Sequence, residues 1–172
     1  MPRQSDSLLK TIALARMATS PFFLLFGQYK VFGSGFAHGG FQHYLDGYIR
    51  DGAVSIFRPF LANVVLPHAV FFGYMVGVVE LFIGMSLLFG WQTRIASAIG
   101  AVYMLLLTLA TWWQPGHGVP LWRYFGAELD HLPLLFLFVI FFVANAGVQW
   151  GLDGRTPAPR ASRAARSSAS RS

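Results

Sequence analysis

Four long apolar stretches dominate the pattern of hydrophobic and polar positions along the chain. They run from about Leu8 to Phe32, Leu66 to Gly90, Ile95 to Trp113 and Leu132 to Trp150. Each is close to the roughly 20 apolar residues that cross the hydrocarbon core of a bilayer as a helix. The pattern therefore predicts four membrane-spanning helices.

The connection between the first two stretches, about Gly33 to Val65, is too apolar for a free linker. It contains two stripes with the spacing of one helix face: the first is Phe41, Tyr44, Leu45, Tyr48 and Ile49, and the second is Phe57, Phe60, Leu61, Val64 and Val65. These stripes predict two short helices on the outer surface or in the mouth of the bundle. The connection from Gly90 to Arg94 predicts a tight turn.

Together these elements predict an all-α membrane protein, a four-transmembrane-helix bundle with two short outer helices between spans one and two. Residues 1–155 would form this membrane domain. Residues 156–172, rich in Arg, Ser and Ala, are predicted to be a disordered cytoplasmic tail.

The composition excludes several classes of protein. Hydrophobic residues make up 55% of the 172 positions and charged residues 12%, whereas soluble domains have about 25% charged residues. The absence of cysteine excludes iron–sulfur clusters, thiolate-bound metals and c-type haem, and the histidines lack metal-site spacing, so no metal cofactor is expected. Five of the 13 basic residues lie in the last 18 positions, so the charge does not indicate a nucleic-acid partner.

Basic residues also predict the orientation, because they accumulate in cytoplasmic flanks. With the N-terminus inside, the inner side carries Arg3, Lys10, Arg94 and five tail arginines, and the outer side carries Lys30, Arg50, Arg58 and Arg123. The sequence thus predicts a multi-pass protein of the cell (inner) membrane with both termini in the cytoplasm.

A glutamate near the middle of span two is the outstanding polar residue. An ionisable side chain costs at least about 2.5 kcal/mol at this depth, so it is a candidate for function. Gly73, Gly77 and Gly84 share the helix face of Glu80 and predict the close approach of another helix.

Arg16 of span one is predicted to pair with Glu80, and Asn145 is predicted to complete this intramembrane polar core. For Arg94 two interpretations stay open: it joins the core, or its side chain extends to the lipid phosphates. Two interpretations stay open: a pair that fixes the helix register, and a proton-relay or ligand site.

A second candidate site lies at the outer mouth of the bundle. Gln28, Lys30, His68 and His131 are predicted to lie near one another there, as a quinone or anion site. A neutral histidine can exchange a hydrogen bond and a proton with a quinone oxygen. The alternative is a set of scattered interfacial histidines without a ligand.

Several short motifs occur in an order that resembles the DoxX/DoxD-like family. They are LARMATSPFFLLFGQYKVFG (Leu14 to Gly33), the Phe-x-x-Tyr-Leu of Phe41 to Leu45, VVELFIGMSLLFGWQTRIASA (Val78 to Ala98) and WGLDGR (Trp150 to Arg155). The resemblance covers about residues 8–155. It implies a compact four-helix membrane bundle and a quinone-linked redox association.

The resemblance also implies a function and the residues that carry it. Arg16, Lys30, Glu80 and Arg94 match the polar positions of the family motifs. The implied protein is a membrane component of a quinone-linked oxidoreductase, such as the membrane subunit of thiosulfate:quinone oxidoreductase, working with other membrane or periplasmic subunits. The alternative is a non-enzymatic accessory or scaffold subunit of a larger membrane complex. The sequence leaves the oligomeric state open.

Overall fold

The structure, a computed structural model, describes residues 2–33, 35–112 and 131–155, and in these ranges the chain is helical without a strand. The described α-helices are α1 (Pro2–Phe32), α2 (Phe41–Gly47), α3 (Arg58–Phe60), α4 (Ala69–Phe89), α5 (Thr93–Ala110) and α6 (His131–Val143). The described residues also form short π-helical turns at Phe36–Gly40, Tyr48–Gly52 and Leu61–Val65, and 3-10 turns at Leu66–His68 and Leu152–Gly154. The all-helical prediction is confirmed for these ranges, and the predicted tail lies outside them.

Three of the described helical stretches are long and apolar enough to cross a membrane, judged by length and composition. They are Asp6–Phe32, Arg58–Phe89 and Thr93–Ala110, and they correspond to the first three predicted spans. The second stretch is longer than predicted because α3 and the turns after it run directly into α4. The second predicted outer helix is therefore the start of a long helical stretch, and not a separate element.

The fourth predicted span ends earlier than the sequence suggested. α6 is an apolar helix of 13 residues that stops at Val143 instead of continuing to Trp150. Asn145 follows in a left-handed conformation with φ of 49°, which asparagine tolerates better than most residues. Turns then lead to Arg155. The residues just before His131 lie outside the described ranges. Within those ranges α6 is an apolar helix shorter than the 18 residues of a candidate membrane span.

Helix α1 packs on α4 at Gly77 and Gly84, as the glycine stripe predicted, whereas Gly73 faces Ala37 and Phe41 of the connection after α1. A Cβ atom added to Gly27 of α1 would lie 2.8 Å from the backbone nitrogen of Leu81 and 2.9 Å from the backbone oxygen of Gly77. Only helices without side chains at these points can approach so closely.

One apolar core joins α1, α4, α5 and α6. Its buried members are Phe23, Ile83, Leu87, Met104, Phe138, Phe141 and Ala146. Because α4 and α5 are joined by the predicted tight turn at Gly90–Gln92, they form an antiparallel hairpin. We call this end of the bundle the turn end.

At the opposite end, the connection of residues 35–68 packs onto the last residues of α5. Its apolar cluster contains Leu45, Ala53, Leu61, Val65, Ala69 and Ala110. The backbone nitrogen of Val54 donates to the backbone oxygen of Leu109 at 3.0 Å, which fixes the connection to α5. We call this end the loop end. The connection is a packed part of the fold, in agreement with its apolar sequence.

Candidate functional site

A buried carboxylate lies between three helices. Glu80 of α4 is 5% exposed. Its Oε1 atom accepts hydrogen bonds from Lys30 Nζ of α1 at 2.5 Å and from the Tyr103 hydroxyl of α5 at 2.7 Å. We call these three residues the polar triad. Glu80 is near the middle of α4, roughly 15 Å from either end. Hydrogen bonds to ionised groups are among the stronger ones in proteins, so the triad joins the last turn of α1 to the middle of α4 and α5.

Lys30 reaches Glu80 because side chains on a helix lean toward its N-terminus. The Lys30 Cβ atom would lie 2.9 Å from a Cβ atom added to Gly77, one helical turn from Glu80. Its ammonium lies 5.2 Å from the ring centroid of Phe36 and 5.9 Å from that of Phe26. Aromatic faces attract cations most strongly where water is scarce. The two rings therefore help Glu80 to hold the lysine charge inside the bundle.

The predicted pair of Arg16 and Glu80 is wrong. Arg16 is fully buried, but its Nη1 atom donates to the backbone oxygen of Leu87. Leu87 is seven residues from Glu80, about 10 Å along the helix. Because α1 and α4 are antiparallel, the N-terminal lean of side chains on α1 carries Arg16 toward the turn end and Lys30 toward Glu80.

At the turn end, Arg16 packs against glycine backbone. A Cβ atom on Gly90 would lie 2.8 Å from the Arg16 Nη1 atom and 2.5 Å from the Cα atom of Gly151. Gly90 also has a left-handed φ of 64°, where it ends α4. Glycine is therefore favoured at this position by both space and conformation.

The segment after α6 docks on the same turn through Asp153. Its Oδ1 atom accepts a hydrogen bond from the backbone nitrogen of Gln92 at 2.7 Å, and its Oδ2 atom accepts one from that of Thr93 at 2.9 Å. The carboxylate thereby caps the first turn of α5. Asp153 also acts electrostatically on Arg16. One acidic side chain thus joins the segment after α6 to the start of α5.

Arg94 and Asn145 lie outside the predicted polar core. The Arg94 side chain is exposed, with its guanidinium carbon 4.9 Å from the ring centroid of Phe142 on α6. Asn145 is half-buried in the turn after α6, where its backbone oxygen accepts a hydrogen bond from Val148 at 3.0 Å. Asn145 was placed too deep because the fourth span was expected to continue to Trp150, whereas α6 ends at Val143.

The four residues of the candidate outer-mouth site have different surroundings in the structure. Lys30 belongs to the polar triad, whereas Gln28 and His68 are exposed. His131 begins α6 and is half-buried. His68 lines an open groove of about 500 Å³ at the start of α4, together with Gln42, Leu66, Pro67, Ala69, Val70 and Phe71. The groove is a separate feature from the triad. Among the described residues, no group of three or more histidine or acidic side chains could hold a metal ion.

Sequence reasoning missed the roles of Tyr103 and Asp153. The sequence signal for Tyr103 was its separation from the turn that joins α4 and α5. Tyr103 lies 10 residues after Thr93, on one side of the turn, and Glu80 lies 10 residues before Gly90, on the other side. In an antiparallel hairpin this equal spacing places the two residues opposite each other. Asp153 had no comparable signal, because its partners are 60 positions away in the chain.

The described residues thus form a helical membrane protein whose polar side chains meet between the helices. The DoxX family model matches residues 11–113, and the chain belongs to the DoxX family. The resemblance predicted from the motifs is confirmed over this range, which contains all members of the polar triad. The likeness predicted for Trp150–Arg155 lies beyond the match. No curated protein and no solved structure matches the chain.

Proposed function

We propose that this protein is the integral membrane component of a quinone-linked oxidoreductase and that the polar triad holds the quinone head group. The observation that carries the proposal is a carboxylate, an ammonium and a phenol joined by hydrogen bonds between apolar helices. Ionisable groups at such depth are costly and characteristically mark sites of binding or proton transfer.

The side chains of the triad suit a quinone head group. Lys30 has three N–H donors, and its side chain keeps 15% exposure, so a carbonyl oxygen can approach the ammonium from the edge of the bundle. Glu80 Oε2 is buried and has no hydrogen-bond partner among the described residues. This oxygen is an acceptor for a hydroxyl group. The rings of Phe26 and Phe36 beside Lys30 offer apolar faces for a planar ring.

Each residue has a distinct role in this proposal. A bound quinone supplies a carrier for two electrons and two protons. Lys30 holds the carbonyl oxygen, and Glu80 accepts or gives a proton at Oε2. Tyr103 keeps the carboxylate in place through Oε1. The apolar helices around the triad exclude water and so strengthen these interactions.

The proposal extends to the electron donor and the membrane arrangement. The resemblance to the membrane subunit of thiosulfate:quinone oxidoreductase makes thiosulfate the proposed donor. In the proposed arrangement α6 belongs to a fourth span in the cell (inner) membrane. The turn end, where α1 begins and Arg155 lies, faces the cytoplasm. The loop end faces the periplasm, where other subunits would dock.

One observation favours a second function, that of a non-enzymatic accessory or scaffold subunit. Lys30 and Tyr103 already satisfy one oxygen of Glu80 within the chain. A buried pair of this kind can serve only to fix the helix register. In that case, changes in the triad would alter stability or assembly without altering quinone content.

Quinone content separates the two functions. Purified wild-type protein is extracted with organic solvent, and the quinone is measured against the amount of protein. We expect stoichiometric quinone in the wild type and its loss in Lys30→Met and Tyr103→Phe. The matched changes Lys10→Met and Tyr29→Phe should retain it, because both side chains are exposed.

Two outcomes would contradict the quinone proposal. A wild-type protein without quinone would favour the accessory function. If His68→Ala were the variant that lost quinone, the binding site of the head group would be assigned to the groove at the start of α4. Thiosulfate-dependent quinone reduction in membranes of a deletion strain, complemented with the same variants, tests the donor separately. Equal rates with and without complementation would exclude thiosulfate as the donor.

A further inference from the structure

Four exposed residues from two distant parts of the chain lie around one contact at the turn end. Trp91 and Arg94 flank the start of α5, and Trp150 and Arg155 flank the segment after α6. All four side chains are exposed. We call them the turn-end patch.

Two hydrogen bonds of Asp153, one from its backbone and one to its side chain, bring the halves of the patch together. The backbone nitrogen of Asp153 donates to the backbone oxygen of Gly90 at 2.8 Å, and the Asp153 carboxylate accepts from the backbone nitrogen of Thr93 at 2.9 Å. Every member of the patch lies within three positions of one of these linked residues. The patch is therefore held by the fold and does not depend on a flexible segment.

The charge of the patch is basic, with two arginines beside one aspartate. The acidic residue beside it, Asp153, is bonded to the backbone nitrogens of Gln92 and Thr93. Among the described residues, the ion pairs involve neither Arg94 nor Arg155. Arg94 lies over the ring of Phe142, which holds its guanidinium against an exposed apolar side chain of α6.

The two tryptophans indicate the depth of the patch. Trp91 is 47% exposed and Trp150 is 58% exposed. Tryptophan is enriched at the level of the lipid head groups, because its ring is apolar and its N–H group is polar. Arg94 follows Trp91 by three positions and Arg155 follows Trp150 by five, so in the proposed arrangement we expect both arginines near the level of the lipid phosphates.

We infer that the turn-end patch binds the head group of an anionic phospholipid, with its phosphate held by Arg94 and Arg155. A guanidinium offers two parallel N–H donors to a phosphate, which suits this task. Four more arginines follow in the sequence, at Arg160, Arg163, Arg166 and Arg171, and add long-range attraction to an anionic surface. This site is distinct from the polar triad, so a test of lipid binding here does not depend on the quinone proposal.

Native mass spectrometry of the full chain in neutral detergent, titrated with phosphatidylglycerol or phosphatidylcholine, measures the site directly. We expect preferential binding of phosphatidylglycerol by the wild type. Arg94→Gln and Arg155→Gln should each weaken it about fivefold, and together about thirtyfold, which corresponds to about 1 kcal/mol for each basic residue at the membrane surface. Arg50→Gln at the loop end is the matched control and should have no effect, since Arg50 is exposed and pairs with Asp51.

The charge-conserving double variant Arg94→Lys/Arg155→Lys separates lost charge from a damaged fold. It should bind phosphatidylglycerol clearly better than the double glutamine variant. Equal binding of both lipids by the wild type would overturn the inference, and so would a double glutamine variant that binds like the wild type. Removal of residues 156–172 must leave most of the preference, because loss of all preference would assign the binding to the tail.

Discussion

The Nζ atom of Lys30 and the Oε1 atom of Glu80 lie 2.5 Å apart between α1 and α4, and the Tyr103 hydroxyl meets the same oxygen from α5. One carboxylate oxygen therefore connects three of the described helices. A substitution in this contact changes both the helix packing and the group that we propose to bind quinone. Paired substitutions separate the two effects.

Removal of one charge from the pair should cost more stability than removal of both. Lys30→Met leaves the buried Glu80 carboxylate without its cation and should destabilise the protein by about 3–5 kcal/mol. Glu80→Gln should cost less, because the Lys30 side chain is 15% exposed and can turn outward. The double variant should recover to within about 2 kcal/mol of the wild type. Denaturant unfolding in detergent measures all three.

The exposed pair of Lys10 and Asp6 provides the control. Their side chains are 45% and 54% exposed, and exposed pairs contribute about 0–1 kcal/mol. Lys10→Met should therefore change stability little. If Lys30→Met and the double variant proved equally unstable, the coupling between Lys30 and Glu80 would be refuted.

Asp153 should stabilise the turn end by capping α5. Asp153→Ala removes the acceptor for two backbone N–H groups, and loss of a cap typically costs about 0.5–2 kcal/mol. The cost should lie at the upper end, because Arg16 also loses a nearby negative charge. Asp51→Ala is the control, since its carboxylate is exposed beside Arg50. Thermal melts of both variants make the comparison, and equal melting temperatures would show that the cap contributes nothing.

The hydrophobic pattern was sufficient to predict the first three membrane-spanning stretches, the tight turn and the packed connection. Each of these depends on local spacing and apolar length. The pairing of Arg16 with Glu80 failed because depth was counted from the ends of apolar stretches. The direction in which a side chain leans along its helix was left out, and that direction carries Arg16 to Leu87 and Lys30 to Glu80.

Contacts between distant parts of the chain were the least predictable. The end of α6 depends on the left-handed conformation of Asn145, which an apolar sequence does not forecast. The cap on α5 joins Asp153 to Thr93 across 60 positions. Such contacts are set by how the helices pack, and no spacing rule within one segment reveals them.

The close approach of α1 and α4 should make Gly27 sensitive to a single methyl group. Gly27→Ala would place a Cβ atom 2.8 Å from backbone nitrogen and 2.9 Å from backbone oxygen of α4, and overpacking of this kind costs about 1–3 kcal/mol. Gly47→Ala is the matched control, because an added Cβ atom there has nothing within 4 Å and should stabilise the helix by about 0.4–1 kcal/mol. Unfolding curves in detergent should move in opposite directions; a shift in the same direction would contradict the packing of α1 on α4.

The distribution of basic residues predicts that the turn end lies in the cytoplasm. Lys30 was counted with the outer side, but it lies between helices. Without Lys30, the inner side has eight basic residues and the outer side has three. The chain has no cysteine, so Asp46→Cys at the loop end and Arg155→Cys at the turn end each introduce a single thiol. A membrane-impermeant maleimide added to spheroplasts should label Asp46→Cys at once, and Arg155→Cys only after permeabilisation. Wild-type protein should remain unlabelled. The reverse labelling pattern would invert the orientation and place the turn-end patch on the periplasmic face.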